Sequence, residues 1–518
     1  MPTPTWALEV EGIVTAGVYT DISAYMQNAL WSIGFSQPYE PMARESSFSV
    51  TLTNTDRRFS PEYSSGTYYP NLTSGKIIRL SSTYDSTTRV MFLGWIGAIK
   101  PTSGISPDTC VIEAQAFNSR AQLSEVSIPV QESITADGVI DKILETARVY
   151  PPGTSTWYLG VAGQSELGQT SELGSTSTFF VGETGISTFL FAGDNWSDST
   201  SVYGAIQDTV GREYGRMFQD RGGTLYFYNR HHLITDTTTD FTFDNTMSEM
   251  IYQFGDPLDI ANDVSVKART RRETASQVVA GLKAPIAITG GGGTVDVVYI
   301  IESQESGVSL AVKSPITPAA TTDFLVNLAS DGTGTNITSD CTGAVVADES
   351  FATRVTIRYT NNNASSGYIT FGQVRGTKLD QFAVVESTQK DSDSIASYGK
   401  RQLTWEYSMD SPATADGIAE FILLERKDPR GRVKSVAFKP QSSDALLTAA
   451  LSHSILSRIA ITETQTGLSA QPYFLLSETH QIEPSDYSVV WELEPASATT
   501  FWVLGSGTLG SSTYIGPL

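Results

Sequence analysis

The chain has 518 residues, of which 40% are hydrophobic and 17% charged. It is long enough to form several hydrophobic cores and too apolar to be disordered. Its formal net charge is −22 and it contains no block of Lys or Arg, which argues against sequence-specific nucleic-acid binding. No apolar run approaches the roughly 18 residues of a membrane span, and no basic segment followed by an apolar one marks a secretory signal, so we expect synthesis in the cytoplasm.

The first 128 residues are predicted to form mostly β-structure. Phe48, Val50 and Leu52 alternate with polar residues, which is the period-two pattern of a half-buried strand. The strand is followed by a segment punctuated by Asn, Asp, Pro and Gly, which we call the aromatic–proline loop (residues 54–75). Later stretches rich in strand-forming residues complete this domain.

A helix opens the next predicted unit, an α/β domain over residues 129–255. Thr135 is expected to cap this helix, and apolar residues recur on one of its faces. Asp137, Asp141 and Glu145 lie on the opposite face, which we interpret as exposed to solvent and not as a catalytic carboxylate set.

The rest of this domain combines low complexity with a hairpin. Residues 151–199 are rich in Gly, Ser and Thr and predict a flexible loop. A second helix, from Ser201 to about Tyr214, leads to two strands that turn at residues 220–223 and end at Arg230.

Two internal similarities each admit two explanations. Residues 135–148 match residues 414–427, so the second stretch is also predicted to start a helix with the same cap, by local convergence or by duplication. Trp157 and Trp502 each precede repeated pairs of an apolar residue and Gly. Shared low complexity explains this second match, and so does a docking element shared with the C-terminal tail, residues 501–518.

Residues 283–375 are predicted to form an inserted β-sandwich, because short strand-like runs alternate with turns and a glycine run. The flanking segments, 256–282 and 376–500, continue each other better than they continue the insert. We therefore predict that they form one further domain. It contains the motif "Y-G-x-R" at 398–401 and ends with "E-x-H-x-I" at 478–482.

The sequence contains no motif that indicates catalysis, a cofactor or a metal site. There are four histidines, and the adjacent His231 and His232, at a predicted strand end, would point to opposite faces. Signatures of zinc proteases, serine hydrolases and phosphate loops are absent, so a cell-wall hydrolase has no motif in its favour. Cys110 and Cys341 are predicted to be buried free thiols.

The order of these motifs resembles the hub proteins at the tail tips of long-tailed bacteriophages. The resemblance rests on "N-x-D-x-x-F-S-P" at 54–61, "Y-Y-P-N-L-x-x-G" at 68–75 with Arg79 after it, the hairpin that ends at Arg230, and the C-terminal motifs. It implies a mainly β, multidomain fold with two β-barrel-like, tube-type domains, an α/β domain and the inserted β-sandwich. The barrel-like domains would be residues 1–128 and the segments that flank the insert.

The resemblance also implies a function. The chain would be a trimeric baseplate hub, a structural virion protein at the tail tip that is not an enzyme and has no cofactor. Six similar domains per trimer would match the sixfold tail tube, while the distal side becomes threefold. Its partners would be two further copies, the tail tube or distal tail protein, and a tip or fibre protein. Phage DNA would be a partner only in transit through the lumen.

Five residues of the aromatic–proline loop are predicted to contact neighbouring proteins: Phe59, Pro61, Tyr68, Tyr69 and Pro70. Aromatic side chains dominate protein interfaces, although the same rings could stack on sugars. The second hypothesis is therefore a carbohydrate-binding adhesin or receptor-binding tail protein that reaches a host-surface glycan through the insert.

Overall fold

The computed structural model describes residues 2–102, 104, 108–149, 179–196, 199–255, 259–301 and 310–496, together with 501–502 and 514–515. In these residues strands greatly outnumber helices and belong to several separate sheets, so the predicted mainly β, multidomain fold is confirmed. The low-complexity stretch after Trp157 and most of the C-terminal tail lie outside the described residues.

The N-terminal part consists of antiparallel strands with buried and exposed side chains in alternation. Phe48, Val50 and Leu52 all face the core, as the period-two pattern predicts. The strands are β1 (Thr5–Glu11), β2 (Tyr19–Asp21), β3 (Met26–Gly34), β4 (Ser47–Thr53), β5 (Ile77–Tyr84), β6 (Thr87–Pro101) and β7 (Thr109–Gln115).

The middle part mixes helices and short strands. They are α1 (Phe117–Leu123), β8 (Gln131–Thr135), α2 (Ala136–Ala147), β9 (Phe180–Gly182), β10 (Thr188–Ala192), α3 (Val202–Glu213), β11 (Arg216–Gln219), β12 (Leu225–Tyr228), α4 (His232–Thr235), β13 (Phe241–Asp244) and β14 (Glu249–Phe254). Ser201 caps α3, since its Oγ accepts a hydrogen bond from the Gly204 amide at 3.0 Å.

Two local predictions in this part are wrong. The acidic face of α2 is not fully exposed, because Glu145 is buried and its carboxylate lies 2.7 Å from the Lys142 ammonium. His232 does not end a strand but begins α4, after β12 has already ended at Tyr228. Its neighbour His231 is the N-cap residue of that short helix.

The next part contains the insert. Its strands are β15 (Asp263–Ala268), β16 (Arg271–Gly281), β17 (Ile286–Ile288), β18 (Gly293–Ile300), β19 (Leu310–Lys313), β20 (Phe324–Asn327), β21 (Cys341–Val345), β22 (Arg354–Asn361) and β23 (Gly367–Gln381). β23 pairs with β16, β17, β19 and β20, while β18, β22 and β21 form a second sheet. Val297, Phe324 and Ile357 lie in a core that is separate from the rest of the chain.

The C-terminal part returns to the body of the protein. Its elements are β24 (Val385–Lys390), α5 (Ser392–Tyr398), β25 (Gln402–Met409), α6 (Pro412–Arg426), β26 (Gly431–Phe438), α7 (Asp444–Ser452), β27 (Arg458–Glu463), β28 (Leu468–Glu483), β29 (Asp486–Pro495), β30 (Phe501–Trp502) and β31 (Tyr514–Ile515). The cap of helix α6 is Ser411, three residues before the predicted cap Thr414, and the helix begins at Pro412. In α2 the matching residue, Thr135, is itself the cap. Equivalent residues of the two matching stretches therefore occupy different positions in their helices.

One sheet joins the two ends of the chain. Its strands lie in the order β14-β26-β29-β28-β3-β4-β7-β6-β5-β1-β2, with β27 and then β13 attached at β28. The joint is the antiparallel pair β3–β28, in which Gly34 lies opposite Ser477 and Ala29 opposite Ile482. Side chains from both ends of the chain therefore fill a single core. The sheet is open at β14 and β2, and the described strands form no closed barrel.

A smaller sheet of β24, β15 and β25 is covered by α6 and has its own core. The segments 256–282 and 376–500, predicted as one domain, thus supply strands to this sheet and to the large one. The domain limits given above remain a prediction.

Candidate functional site

The aromatic–proline loop is anchored by aromatic side chains that point into the subunit. Phe59 and Tyr68 are 0% and 5% exposed, and their ring centroids are 5.5 Å apart. Tyr25 meets Phe59 edge to face, also at 5.5 Å. Asn54 Oδ1 accepts a hydrogen bond from the Phe59 amide at 2.9 Å. These contacts fix the loop conformation without a partner.

The outer side of the loop is exposed. Tyr69 is 46% exposed, Pro70 is exposed and Pro61 is half-buried. Tyr63, which is not among the five predicted contact residues, is also 37% exposed. In this conformation Tyr69 and Pro70 can reach a neighbour, whereas the two buried aromatic residues act as anchors. The sequence did not separate these roles, because aromatic side chains serve both cores and interfaces.

The two adjacent tyrosines should therefore differ in their effect on stability. We expect Tyr68→Ala to lower the free energy of unfolding by about 3 kcal/mol, because it leaves a cavity in the core. Tyr69→Ala should lower it by less than about 1 kcal/mol, since its ring is partly in solvent. Urea unfolding followed by fluorescence measures both values. Equal losses would mean that Tyr68 is not an anchor.

A buried polar network joins the hairpin β11–β12 to the large sheet. Arg221, in the hairpin turn, is 7% exposed, and its Nε donates to Glu478 Oε1 at 2.6 Å while Nη2 donates to Oε2. Nη1 donates to the Leu451 carbonyl at 3.0 Å. The bidentate geometry holds the turn against the joint of the sheet, since Glu478 lies on β28 opposite Ile33.

Burial and the neighbouring charges shift the pKa of Glu478 in opposite directions. Burial would raise the pKa of Glu478, but Arg221 and His480 outweigh it and lower the pKa to about 2. Burial lowers the pKa of His480, which stacks on Trp31 at 4.7 Å and has its Nδ1 2.8 Å from Tyr487 Oη. The arrangement is a buried ion pair with an imidazole packed beside it, which supports a structural role.

Arg221 was predicted only as a turn residue. It is 257 positions from Glu478, so no local pattern relates the two. The sequence contains one indirect sign that Arg221 has a further role. The turn already has a polar cap, since Asp220 accepts a hydrogen bond from the Thr224 amide. A long charged side chain next to Gly222 and Gly223 is therefore not needed to form the turn.

A second buried cluster lies where the middle part, the insert and α6 meet. Arg271 Nε donates to Asp194 Oδ2 at 2.5 Å and its Nη1 to Asp410 Oδ1 at 2.8 Å. Arg212 Nη2 donates to the same Asp410 oxygen at 2.5 Å, and Gln381 Nε2 donates to Asp194 at 3.0 Å. Because Arg271 begins β16 and Gln381 ends β23, the cluster holds the root of the insert against the body.

The described part of the chain contains no group of three or more His, Cys, Asp or Glu residues placed to hold a metal ion. His232 instead pairs with one carboxylate, with Nδ1 2.6 Å from Glu183 Oε1, and stacks on Tyr228 at 3.6 Å. None of the helices that the structure describes is long and apolar enough to cross a membrane.

Cys110 and Cys341 are buried and free, as predicted. Burial raises the pKa of Cys110 to about 11 and also raises the pKa of Cys341. We therefore expect neither thiol to react with a maleimide in the native protein at about pH 7, and both to react after denaturation. Mass spectrometry counts the labels, and rapid labelling of the native chain would contradict this burial.

No protein-family model matches the chain, and no curated protein matches its sequence. Its structural neighbours include tail proteins of prophages and bacteria. The 43 kDa tail protein of prophage MuSo2 from Shewanella oneidensis has a TM-score of 0.45 and 8% identity, over 95% of this chain and 98% of that one. A tail protein from Neisseria meningitidis has a TM-score of 0.47 and 8% identity, over 95% and 96% of the two chains.

A component of the type VI secretion system from Escherichia coli, itself structurally similar to tail proteins of bacteriophage T4, has a TM-score of 0.34 and 8% identity, over 92% of this chain and 74% of that one. At such TM-scores and identities the likeness assigns no function to this chain.

Proposed function

We propose that the chain is a structural virion protein, the trimeric baseplate hub at the tip of a phage tail. The large sheet carries this proposal, because the N-terminal strands β1–β7 and the C-terminal strands β26–β29 lie side by side in it. Each copy thus supplies two antiparallel β-units, and three copies supply six. Such a ring would match a sixfold tail tube on one side and present threefold symmetry on the other.

In this role the chain binds two further copies, the tail tube or distal tail protein above it, and a tip or fibre protein below it. Its lumen forms part of the DNA-ejection channel, and the net charge of −22 favours passage of DNA without binding. The protein is assembled in the host cytoplasm, is located at the tail tip of the virion, and has no catalytic role. The two buried polar clusters support a rigid body of this kind.

Binding to tail tubes tests this role. Purified protein mixed with assembled tail tubes should appear at one end of the tubes in negative-stain images, and it should co-sediment with them. Binding along the sides of the tubes, or no binding at all, would argue against a hub.

A specific observation also favours a second candidate, a carbohydrate-binding adhesin. Tyr368 and Phe371 on β23 are both exposed, on the outer surface of the insert, where their rings could stack on a sugar. A glycan array with the full chain and with Tyr368→Ala separates the candidates. Selective binding that the variant loses would support the adhesin, and no binding would leave the hub as the single candidate.

A further inference from the structure

Strand β18 lies at an edge of the second sheet of the insert, whose order is β18-β22-β21. All 8 of its residues pair with β22, and no bulge interrupts the register. Among the strands that the structure describes, β22 is its sole partner. The other edge of β18 is therefore available to a further strand.

The free hydrogen-bonding groups of β18 belong to every second residue. The Ile301 amide donates to the Thr353 carbonyl at 2.8 Å, so these two residues form a hydrogen-bonded pair of the antiparallel ladder. Such pairs alternate along a strand, which means that Tyr299 and Val297 also bond to β22. The N–H and C=O groups of Val298 and Ile300 therefore point away from β22, towards the free edge.

Other free edges of the described sheets carry features that oppose strand addition. β2 has 3 residues, and β14 is interrupted by a register shift between Ile251 and Tyr252. β24 carries exposed charged side chains at Glu386 and Lys390. Short length, bulges and charges are the usual means of protecting an edge. β18 is long and regular by comparison, and it contains no proline or lysine.

The side chains at the free edge are apolar and exposed. Val298 is 51% and Ile300 is 48% exposed, whereas Val297 and Tyr299 are buried in the core of the insert. Asp296 is the one charged residue of β18, and Arg358 on β22 neutralises it, with Nε 2.7 Å from Oδ1. Two copies of a chain with a net charge of −22 can therefore meet at this edge without local repulsion.

We propose that β18 is a strand-pairing surface whose partner is β18 of a second copy, added antiparallel about a twofold axis at Tyr299. In this register Val298 of each copy lies opposite Ile300 of the other, so the exposed apolar side chains cover one another. Each of these pairs exchanges both of its N–H···O bonds, because the free groups belong to the same residues. The contact is isologous and thus self-complementary.

Charges elsewhere on this face do not oppose the pairing. Asp296 lies three positions from the axis, so roughly 20 Å separate it from its counterpart at about 3.4 Å per residue. Arg354 lies opposite Ile300 on β22, and three strand spacings of about 4.8 Å separate it from the Arg354 of the second copy. Both separations exceed the screening length of about 8 Å at physiological salt.

Lysine substitutions in the full chain test the contact. Val298→Lys and Ile300→Lys should each raise the dissociation constant at least about tenfold, because an edge lysine opposes strand addition. Analytical ultracentrifugation over a dilution series measures the constant. Val490→Lys makes the same change at an exposed position of β29, both edges of which are paired, and should have no effect.

Amide hydrogen exchange, read residue by residue, locates the contact. The Val298 and Ile300 amides should exchange more slowly as the protein concentration rises, because the second copy accepts their hydrogen bonds. The Val297 and Tyr299 amides, which already bond to β22, should be protected at every concentration. Protection of Val298 and Ile300 that does not change with concentration would place the association elsewhere and overturn the proposal.

The contact goes beyond the proposed function, since it joins two inserts whether the rest of the chain is a monomer or a trimer. Lysine variants that associate as strongly as the wild type would overturn it, as would a wild type that shows no association beyond its basic unit at the highest soluble concentration. A basic unit that is a monomer would count against the hub, while the lysine variants would still decide this contact. Both substituted residues are exposed, so the variants are expected to fold.

Discussion

Replacing Arg221 by Ala should lower the free energy of unfolding by about 3–5 kcal/mol, because it leaves the Glu478 carboxylate buried without its partner. Glu478 is 0% exposed, and Arg221 bonds to both of its oxygens, so removal of the guanidinium takes away the hydrogen bonds and the opposite charge that stabilise the buried carboxylate. Urea unfolding followed by tryptophan fluorescence measures the loss, and Trp31 beside His480 reports on this site.

Two variants serve as controls for this prediction. Lys100→Ala removes an exposed ion pair with Glu113 and should cost less than about 1 kcal/mol. The double variant R221M/E478Q removes both buried charges and should cost less than Arg221→Ala alone. A loss for Arg221→Ala no larger than that for Lys100→Ala would mean that the pair does not hold the hairpin to the sheet.

The same pair gives a defined pH dependence. The pKa of Glu478 is lowered to about 2 in the folded chain, below the value of about 4.3 expected when unfolded. A lowered pKa contributes stability that is fully present above about pH 4.3 and is lost as the pH falls through about 2. Unfolding curves between about pH 2 and pH 5 should show this loss in the wild type, and Arg221→Ala should remove most of it.

Replacing Gly34 by Ala should be the most damaging change at the joint of the large sheet. Gly34 has a φ of +119°, and a Cβ there would lie 2.6 Å from Ser477 Cα on β28. Backbone strain and the clash together should cost about 3 kcal/mol or more, and the two ends of the chain should separate at a lower temperature. Thermal unfolding with limited proteolysis measures both effects.

Gly17 provides the matched control for this glycine. Its φ is +72°, and an added Cβ would meet nothing within 4 Å. Gly17→Ala should therefore show the strain alone, about 1 kcal/mol. If both variants lost the same stability, the close approach of β3 to β28 would not matter.

The elements that could be predicted were those with a local signal. The strand around Val50 follows from period-two alternation, and the helix after Ser201 follows from its cap and apolar spacing. Helix α6 also had a local signal, since Pro412 is suited to the first helical position. The match to residues 135–148 predicts a cap at Thr414, which is three residues after the observed cap, Ser411.

The features that could not be predicted depend on contacts between distant segments. Ser32 and Thr479 hydrogen-bond across the β3–β28 joint, although 447 positions separate them. No spacing within either segment indicates that they pair, so the two ends were predicted as separate domains and not as one sheet. The burial of Arg221 is a consequence of the same joint, because its partner Glu478 lies on β28.

The claim that this chain forms a threefold hub is tested most directly by its oligomeric state. Native mass spectrometry and cryo-electron microscopy of the full chain, alone and with tail-tube protein, measure both the number of copies and their symmetry. We predict a trimer whose ring has threefold symmetry and presents six β-units to the tube. A stable monomer that forms no threefold ring under either condition would contradict the account.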